Sequence, residues 1–402
     1  MTGGVLLPVL IALVPTTILA FVYFILPVMA PSMMTALGRP AEDFGWLAGA
    51  IGLGSVWFYT SSHAITPVLG PLRTLRLGML VSIIGIGLVI SGLWPLVLFG
   101  GFLIGLGYAT TTPTSSQVLA DFTPRSNWST YFSLRQAGVP AGGMLAGYLA
   151  VLILASYQWP VALFAAVVAV AFSGLLLFAV PARYNQSRPL QPFSLSRLIT
   201  PVNMIEPART VGAIRGLGLL VTAGCGFALV HGAVTIFFVT YLVVGLGISN
   251  AQAASLFIVL QATAILGRLA GGAIADRNGS ALPLLSLLAP MSATSAFLLA
   301  ILGAEWPPHA FIAATVFIGL TVGTWNGLYL SEIARLVPPD KVGSATAAAA
   351  VFGFSTYMIT PPLVGLLAAS VGWRLTFAII SSGAAVAAVA LGLLRWHMQR
   401  AG

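Results

Sequence analysis

Cysteine is nearly missing from this chain. Cys225 stands alone, so neither an intramolecular disulfide nor a Cys-based metal cluster can form, and its plainest role is that of a small apolar residue. Charge is scarce too: 6% of the 402 residues are charged while 58% are hydrophobic, which excludes a water-soluble globule of ordinary composition. The histidines, His63, His231, His309 and His397, are scattered, and no HExxH, CxxC, P-loop or paired-carboxylate motif occurs. No enzyme, resident metal, cofactor or built-in ATPase is expected. Acids are also missing from particular places, since none lies deep in the first, second, fourth, fifth or seventh apolar stretch, which argues against a carrier of organic cations.

What remains is apolar and periodic in length. Twelve runs, at 8–36, 45–66, 74–94, 96–121, 130–155, 160–181, 216–244, 252–275, 281–303, 309–336, 343–370 and 374–396, each suffice to cross a bilayer as a helix. The expected fold is an all-α integral membrane protein of 12 transmembrane helices with no soluble domain. Its first run lacks a basic leader and a small-residue cleavage site, and reads as a retained span rather than a signal peptide. The net charge of +9 reports topology, not a nucleic-acid partner. With the amino terminus inside, Arg73, Arg76, Arg125, Arg135, Arg183, Arg188, Arg197, Arg209, Arg215, Arg268, Arg277, Arg335, Arg395, Arg400 and Lys341 fall at or near the cytoplasmic side, and Arg39 and Arg374 fall outside. That pattern predicts both termini cytoplasmic, in a multi-pass protein expected in the bacterial inner membrane and in contact with lipid, and twelve spans suffice for a monomer.

The longest polar connection, Pro181 to Arg215, divides the chain into a bundle at 1–181, a cytoplasmic loop at 182–215 and a bundle at 216–402. Within it, 193–199 can lie at the membrane surface as an amphipathic turn. The halves repeat faintly. Ile104-Gly-Leu106 and Phe122-Thr-Pro124 correspond to Ile318-Gly-Leu320 and Leu336-Val-Pro338 at an offset of 214, and Trp159 and Trp373 keep it. Under that offset Thr111 and Thr112 match Trp325 and Asn326. Such repeated halves predict two pseudo-symmetric six-helix bundles with a site between them at mid-membrane.

Polar residues inside the spans are the candidates for that site. Arg135, two turns into the fifth span and followed by Gln136, either binds an anion through its planar guanidinium or snorkels to the cytoplasmic headgroups. Around it Gly138, Gly142 and Gly143 allow close helix approach and Pro140 can bend the helix. In the fourth span, Tyr108 to Gln117 is dense in hydroxyls. Thr111, Thr112, Ser115 and Ser116 stack at i, i+4 beside Pro113, and either line a cavity or serve carbonyls freed by the proline. Trp325, Asn326 and Tyr329 in the tenth span, Tyr23 in the first, Gln261 in the eighth and Phe354, Ser355 and Tyr357 in the eleventh are further lining candidates, with an interhelical hydrogen bond the alternative for Asn326; Trp57, Tyr59 and His63 in the second span either pack or join that lining. His231, deep in the seventh span, is either a proton carrier or a neutral hydrogen-bonding residue.

Span eight ends Gly267-Arg268-Leu-Ala-Gly-Gly272-Ala-Ile-Ala-Asp276-Arg277-Asn-Gly279, which resembles the G-x-x-x-D-R-x-G loop signature of the major facilitator superfamily. The resemblance implies a cytoplasmic latch in which Gly272 permits tight packing, Asp276 caps or pairs with a neighbouring helix end and Gly279 makes the turn. Glu332 is expected to pair with Arg335 or with the Asp276-Arg277 loop. The amino-terminal counterpart has His63 at the first glycine and Pro67 at the aspartate, so closure is expected to rest on the second-half loop. Gly138-Val-Pro140-Ala-Gly-Gly143 is similar to the family's fifth-helix motif. Arg135-Gln136 with Trp325-Asn-Gly-Leu-Tyr-Leu-Ser-Glu332 is similar to a bacterial branch near cyanate-permease-like members, which does not fix a substrate. The resemblance implies secondary transport; one buried cation with neutral partners then favours a small organic anion as the cargo, in its simplest form a monocarboxylate entering with a proton or by exchange. An efflux carrier of neutral or amphiphilic compounds using Trp57, Trp325 and Tyr357, and a non-transporting sensor or assembly protein, are the alternatives.

Overall fold

A computed structural model describes residues 3–124, 128–154, 157–185, 202–338 and 342–400, all helical or in short connections. Helices α1 (Gly3–Ala36), α2 (Phe44–Leu69), α3 (Pro71–Ile90), α4 (Trp94–Ala109), α5 (Thr111–Phe122), α6 (Trp128–Leu154) and α7 (Trp159–Leu176) form the first half, and α8 (Val202–Ala213) follows in the connection. The second half comprises α9 (Leu217–Thr240), which runs on into a π turn at Tyr241–Gly245, then α10 (Asn250–Asn278), α11 (Leu282–Ile301), α12 (Pro308–Val322), α13 (Trp325–Leu336), α14 (Val342–Val371) and α15 (Trp373–Gln399). Taking α4 with α5 and α12 with α13 as single crossings, eleven segments are long and apolar enough to span a membrane. The 26-residue α2, richer in hydroxyl and aromatic side chains, makes the twelfth.

One element departs from the expected layout. Helix α8 packs against α14, α9 and α2, where the sequence reads as a loop. Glu206, Pro207 and Arg209 lower its hydropathy and hide its 12 residues from a search for apolar runs. The surface turn expected at 193–199 lies outside the described residues, as do Arg125, Arg188, Arg197 and Lys341.

The 214-residue offset is structural as well as textual. Crossing α4/α5 breaks at Thr110, and crossing α12/α13 breaks at Gly323 and Thr324, the equivalent place. The causes differ. Pro113 has no N–H for the carbonyl four residues back, so the turn before it opens, and Thr110 and Thr111 hydroxyls donate instead to the Gly107 and Tyr108 carbonyls. In the second half glycines at 323 and 327 flank the break, and Thr324 donates to the Leu320 carbonyl.

Packing between the halves is uneven from face to face. On the face opposite the chain termini, one continuous apolar core joins α1, α2, α9, α10 and α14, with Phe44 edge-on to Phe237 and Phe24 tilted on Phe257. Toward the termini the core divides. Leu217–Ala228, Ala275–Ala289, Trp325–Val337 and Ala387–Leu394 contribute a cluster confined to the second half, while Val9, Ala12 and Leu119 form one confined to the first. The halves are therefore closed on one face and parted on the other.

Candidate functional site

Between the parted halves lies a cavity of about 200 Å³ of water-accessible space. It runs from mid-membrane toward the termini, as far as Thr346 in the second turn of α14. Its walls come from both bundles: Thr16 and Tyr23 of α1, Gly52 and Ser55 of α2, Tyr108, Thr111 and Thr112 at the α4/α5 break, and Arg135 and Gln136 of α6. The second half supplies His231, Gln261, Arg268, the α12/α13 break with Trp325, Asn326 and Tyr329, and Phe354 and Tyr357 of α14.

Arg135 is held where it is by the glycines that follow it. A Cβ on Gly142 would stand 2.5 Å from the Thr17 carbonyl oxygen of α1, and one on Gly143 would collide with Gln261 Nε2 of α10, so α6 is wedged between α1 of its own half and α10 of the other. The Arg135 side chain is 4% exposed and does not snorkel to the surface. It donates to Thr112 Oγ1 at 2.9 Å, and its buried Nε has no acceptor. Thr112 also takes the Tyr59 hydroxyl at 3.1 Å, which fixes the threonine as the guanidinium's support.

A second guanidinium shares the cavity. Arg268, placed by its sequence neighbours in the loop motif, instead points inward from α10. It donates through Nε to the Gly323 carbonyl at 2.8 Å, a group at the α12/α13 break, and through a terminal nitrogen to the Gln136 carbonyl of the other half at 3.0 Å. Neither acceptor carries charge. No aspartate or glutamate lines the cavity among the described residues.

Aromatic rings shape the remaining wall. Tyr23 stacks on Tyr108 with centroids 5.1 Å apart, and Tyr59 lies against Phe354 at 4.3 Å across the halves. Trp325 stacks on Phe227 at 5.5 Å and donates its indole N–H to His231 Nδ1 at 3.1 Å. Indole nitrogen only donates, so His231 Nδ1 must hold a lone pair, and the imidazole is neutral while this bond stands. Protonation at Nδ1 would break it.

Several expected positions fall elsewhere. Ser115 is buried but away from the cavity, its hydroxyl turned back to the Thr111 carbonyl. Trp57 is not on the lining, because the cavity face of α2 runs through Gly52 and Ser55. Thr111 and Thr112 divide the two roles between them: Thr111 repairs the kink, whereas Thr112 reaches across to α2 and α6. The His63 side chain lies outside the described residues. Thr16, Ser55 and Thr235 line the cavity although no sequence pattern marks them. Thr16 is adjacent to Thr17 and Thr235 lies one turn after His231, and only helix rotation decides that Thr16 and Thr235 reach the cavity while Thr17 does not.

The loop motif also differs in its details. Gly272 faces open space, and the close approach belongs to Gly267, where a Cβ would collide with Thr324 Oγ1. Gly279 does turn the chain, at φ +69°. Asp276, Arg277 and Arg335 are exposed, and it is Glu332 that caps the next helix, accepting from the Ala281 backbone N–H at 2.9 Å and from the Ser280 hydroxyl at 3.1 Å. Its partner is thus a helix N-terminus rather than an arginine, a favourable place for a carboxylate. The first half has an equivalent that no sequence motif announces. Asn185, just after α7, accepts from the Leu72 and Arg73 N–H groups at 2.9 and 3.1 Å and donates to the Leu69 carbonyl at 3.1 Å, clamping the turn between α2 and α3.

The sequence matches the model of a family described as "Major Facilitator Superfamily" over residues 12–359. It is 26% identical over 372 residues to "Uncharacterized transporter y4wD" of Sinorhizobium fredii, covering 91% of this chain and 92% of that one. It is 26% identical over 235 residues to "MFS-type transporter opdF" of Penicillium oxalicum, covering 57% and 51%. Among solved structures, a bacterial homologue of the human lysosomal transporter Spinster, in an inward-facing and unoccupied conformation, superposes with a TM-score of 0.75 at 16% identity, over 98% of this chain and 97% of that one. The nucleoside transporter NupG superposes with a TM-score of 0.72 at 13% identity, over 94% and 98%.

Proposed function

The chain belongs to the major facilitator superfamily, and we propose that it carries a small organic anion across the bacterial inner membrane by alternating access between its two halves. As a multi-pass membrane transporter, it has a small-molecule substrate. The anionic character of that substrate rests on one observation: the cavity between the halves holds two guanidiniums and no carboxylate among the described residues. Buried charges are costly unless compensated, and the compensating charge is absent from the lining, so it arrives with the ligand.

The cation distribution supports a cytoplasmic placement of the terminal face, because Arg73, Arg76, Arg183, Arg209, Arg215, Arg277, Arg335, Arg395 and Arg400 lie toward it while Arg39 and Arg374 lie opposite. The cavity then opens inward. The chain has no nucleotide-binding motif, so an ion or substrate gradient drives the cycle, by proton symport or by anion exchange.

The test is uptake into liposomes containing the purified protein, with radiolabelled carboxylates as substrates and Arg135→Gln alongside the parent. Saturable uptake of an anion that the variant loses is the expected result; a variant that transports the same anion unchanged sinks the assignment. A second reading, efflux of neutral or amphiphilic compounds, is favoured by the aromatic wall of Tyr23, Tyr108, Trp325, Phe354 and Tyr357. It predicts transport of uncharged aromatic solutes by parent and variant alike.

A further inference from the structure

The sequence alone offers one buried cation, Arg135, and one cation is matched by a monovalent anion. Packing of α10 against α6 brings a second one to the same cavity. Arg268 donates to the carbonyl of Gln136, the residue next to Arg135 in the chain, so a guanidinium from the second half reaches the backbone of the α6 stretch that carries Arg135, and both arginines line one cavity. Among the described residues, every hydrogen-bond partner of either group is neutral: the Thr112 hydroxyl for Arg135, and the Gly323 and Gln136 carbonyls for Arg268. Hydrogen bonds to neutral acceptors satisfy N–H groups but leave formal charge uncompensated. His231 adds no balancing group, being neutral while it accepts from Trp325.

Donors without acceptors point the same way. Arg135 Nε and Gln261 Nε2 are buried, belong to side chains 4% exposed, line the cavity and have no hydrogen-bond partner. A monocarboxylate neutralises one guanidinium and leaves the other stranded at low dielectric. A molecule with an anionic group at each end neutralises both, one end against Arg135 of the first half and the other against Arg268 of the second.

We infer that the substrate is a dianion, a small dicarboxylate or a molecule with two comparably spaced anionic groups, held with one end on each half of the protein. This rests on the anion-carrier reading and narrows it. Because the two charges sit on different halves, the dianion also ties the halves together, replacing the Arg268–Gln136 bond with a bridge through the ligand.

The experiment measures the shift in thermal unfolding of the purified full-length protein against matched pairs: acetate with oxalate, propionate with malonate, butyrate with succinate, valerate with glutarate, and succinamide as an uncharged control. Ligands of the folded state raise its unfolding temperature by mass action. The expected result is half-saturation by one dicarboxylate at a concentration at least about tenfold below that of its monocarboxylate partner, since a second charge-assisted hydrogen-bonded pair adds that much or more. Arg135→Gln and Arg268→Gln should each bring that ratio to about one, and Arg268→Lys, which keeps the charge, should retain part of the preference. Monocarboxylates binding as tightly as dicarboxylates in the parent, with Arg268→Gln indifferent, would overturn the dianion while leaving the anion carrier standing. Stabilisation by succinamide or other uncharged solutes, with no response to any carboxylate, would overturn both.

Discussion

The two halves meet along two seams built from opposite materials. Where α6 faces α10, the contact carries Arg135, Arg268, Gln136 and Gln261, and polar groups cross it. Where α2 faces α14, it is glycine against proline and methionine: Cβ atoms on Gly45, Gly49 and Gly52 would stand 2.5, 2.6 and 2.5 Å from Pro361 O, Pro362 Cγ and Met358 Cα. The first seam responds to charge, so a ligand can change its energy. The second depends on backbone approach on the sealed face, which no small anion alters, and it is the contact that has to part for that face to open. The proposed alternating access would load the two seams in turn, a ligand strengthening the first and the second parting when the closed face opens.

Breaking the charged seam should have the largest effect. Removing either guanidinium by Arg135→Gln or Arg268→Gln is expected to weaken anion binding by about 10- to 100-fold, the size of a lost charged hydrogen-bond partner of about 1.5–3 kcal/mol; equilibrium binding to the protein in detergent measures it. The close-packed seam comes next. Gly52→Leu must push α2 off the Met358 backbone, whereas Gly143→Ala meets only the movable end of Gln261. Amide hydrogen exchange at the far ends of α2 and α14 should rise strongly in the first and little in the second. Equal exchange in both variants would contradict the difference drawn between the seams.

Smaller effects test the terminal-face loops. Glu332→Ala leaves the buried Ala281 N–H without its acceptor and should lower stability by about 1–3 kcal/mol. Asn185→Ala acts on a part-exposed turn where water substitutes, and should cost less. Thermal unfolding of the two variants side by side gives the order; the reverse order would make the first-half clamp the stronger latch. Trp325→Phe removes the indole donation to His231, about 0.6 kcal/mol for an interhelical hydrogen bond in a membrane, and adds to that the loss of packing where the larger ring stacks on Phe227.

Asn185 shows one way in which a site residue stays hidden in a sequence. Nothing in its neighbourhood resembles Asp276-Arg277, yet the turn it clamps lies 113 residues away from it. Glu332 stands out as an unusual acid in an apolar span, but the partner it suggests is a cation, because a sequence displays charges and hides backbone N–H groups. Helix α8 escapes a search for spans because its 12 residues are amphipathic rather than apolar.

The membrane-spanning helices, their division into two related halves and the likeness of α4/α5 to α12/α13 are all written in the amino-acid order. Each follows from local quantities: length of apolar run, placement of proline and glycine, and the recurring 214-residue shift. Only the folded arrangement reveals that Arg268 belongs to the cavity rather than the loop, that Ser115 and Trp57 do not line it, and that the halves are sealed on one face and open on the other. Those outcomes depend on the rotation of each helix about its axis and on which helix it meets. Close contacts of Gly52, Gly143 and Gly267 with distant residues set both, and no local pattern encodes them.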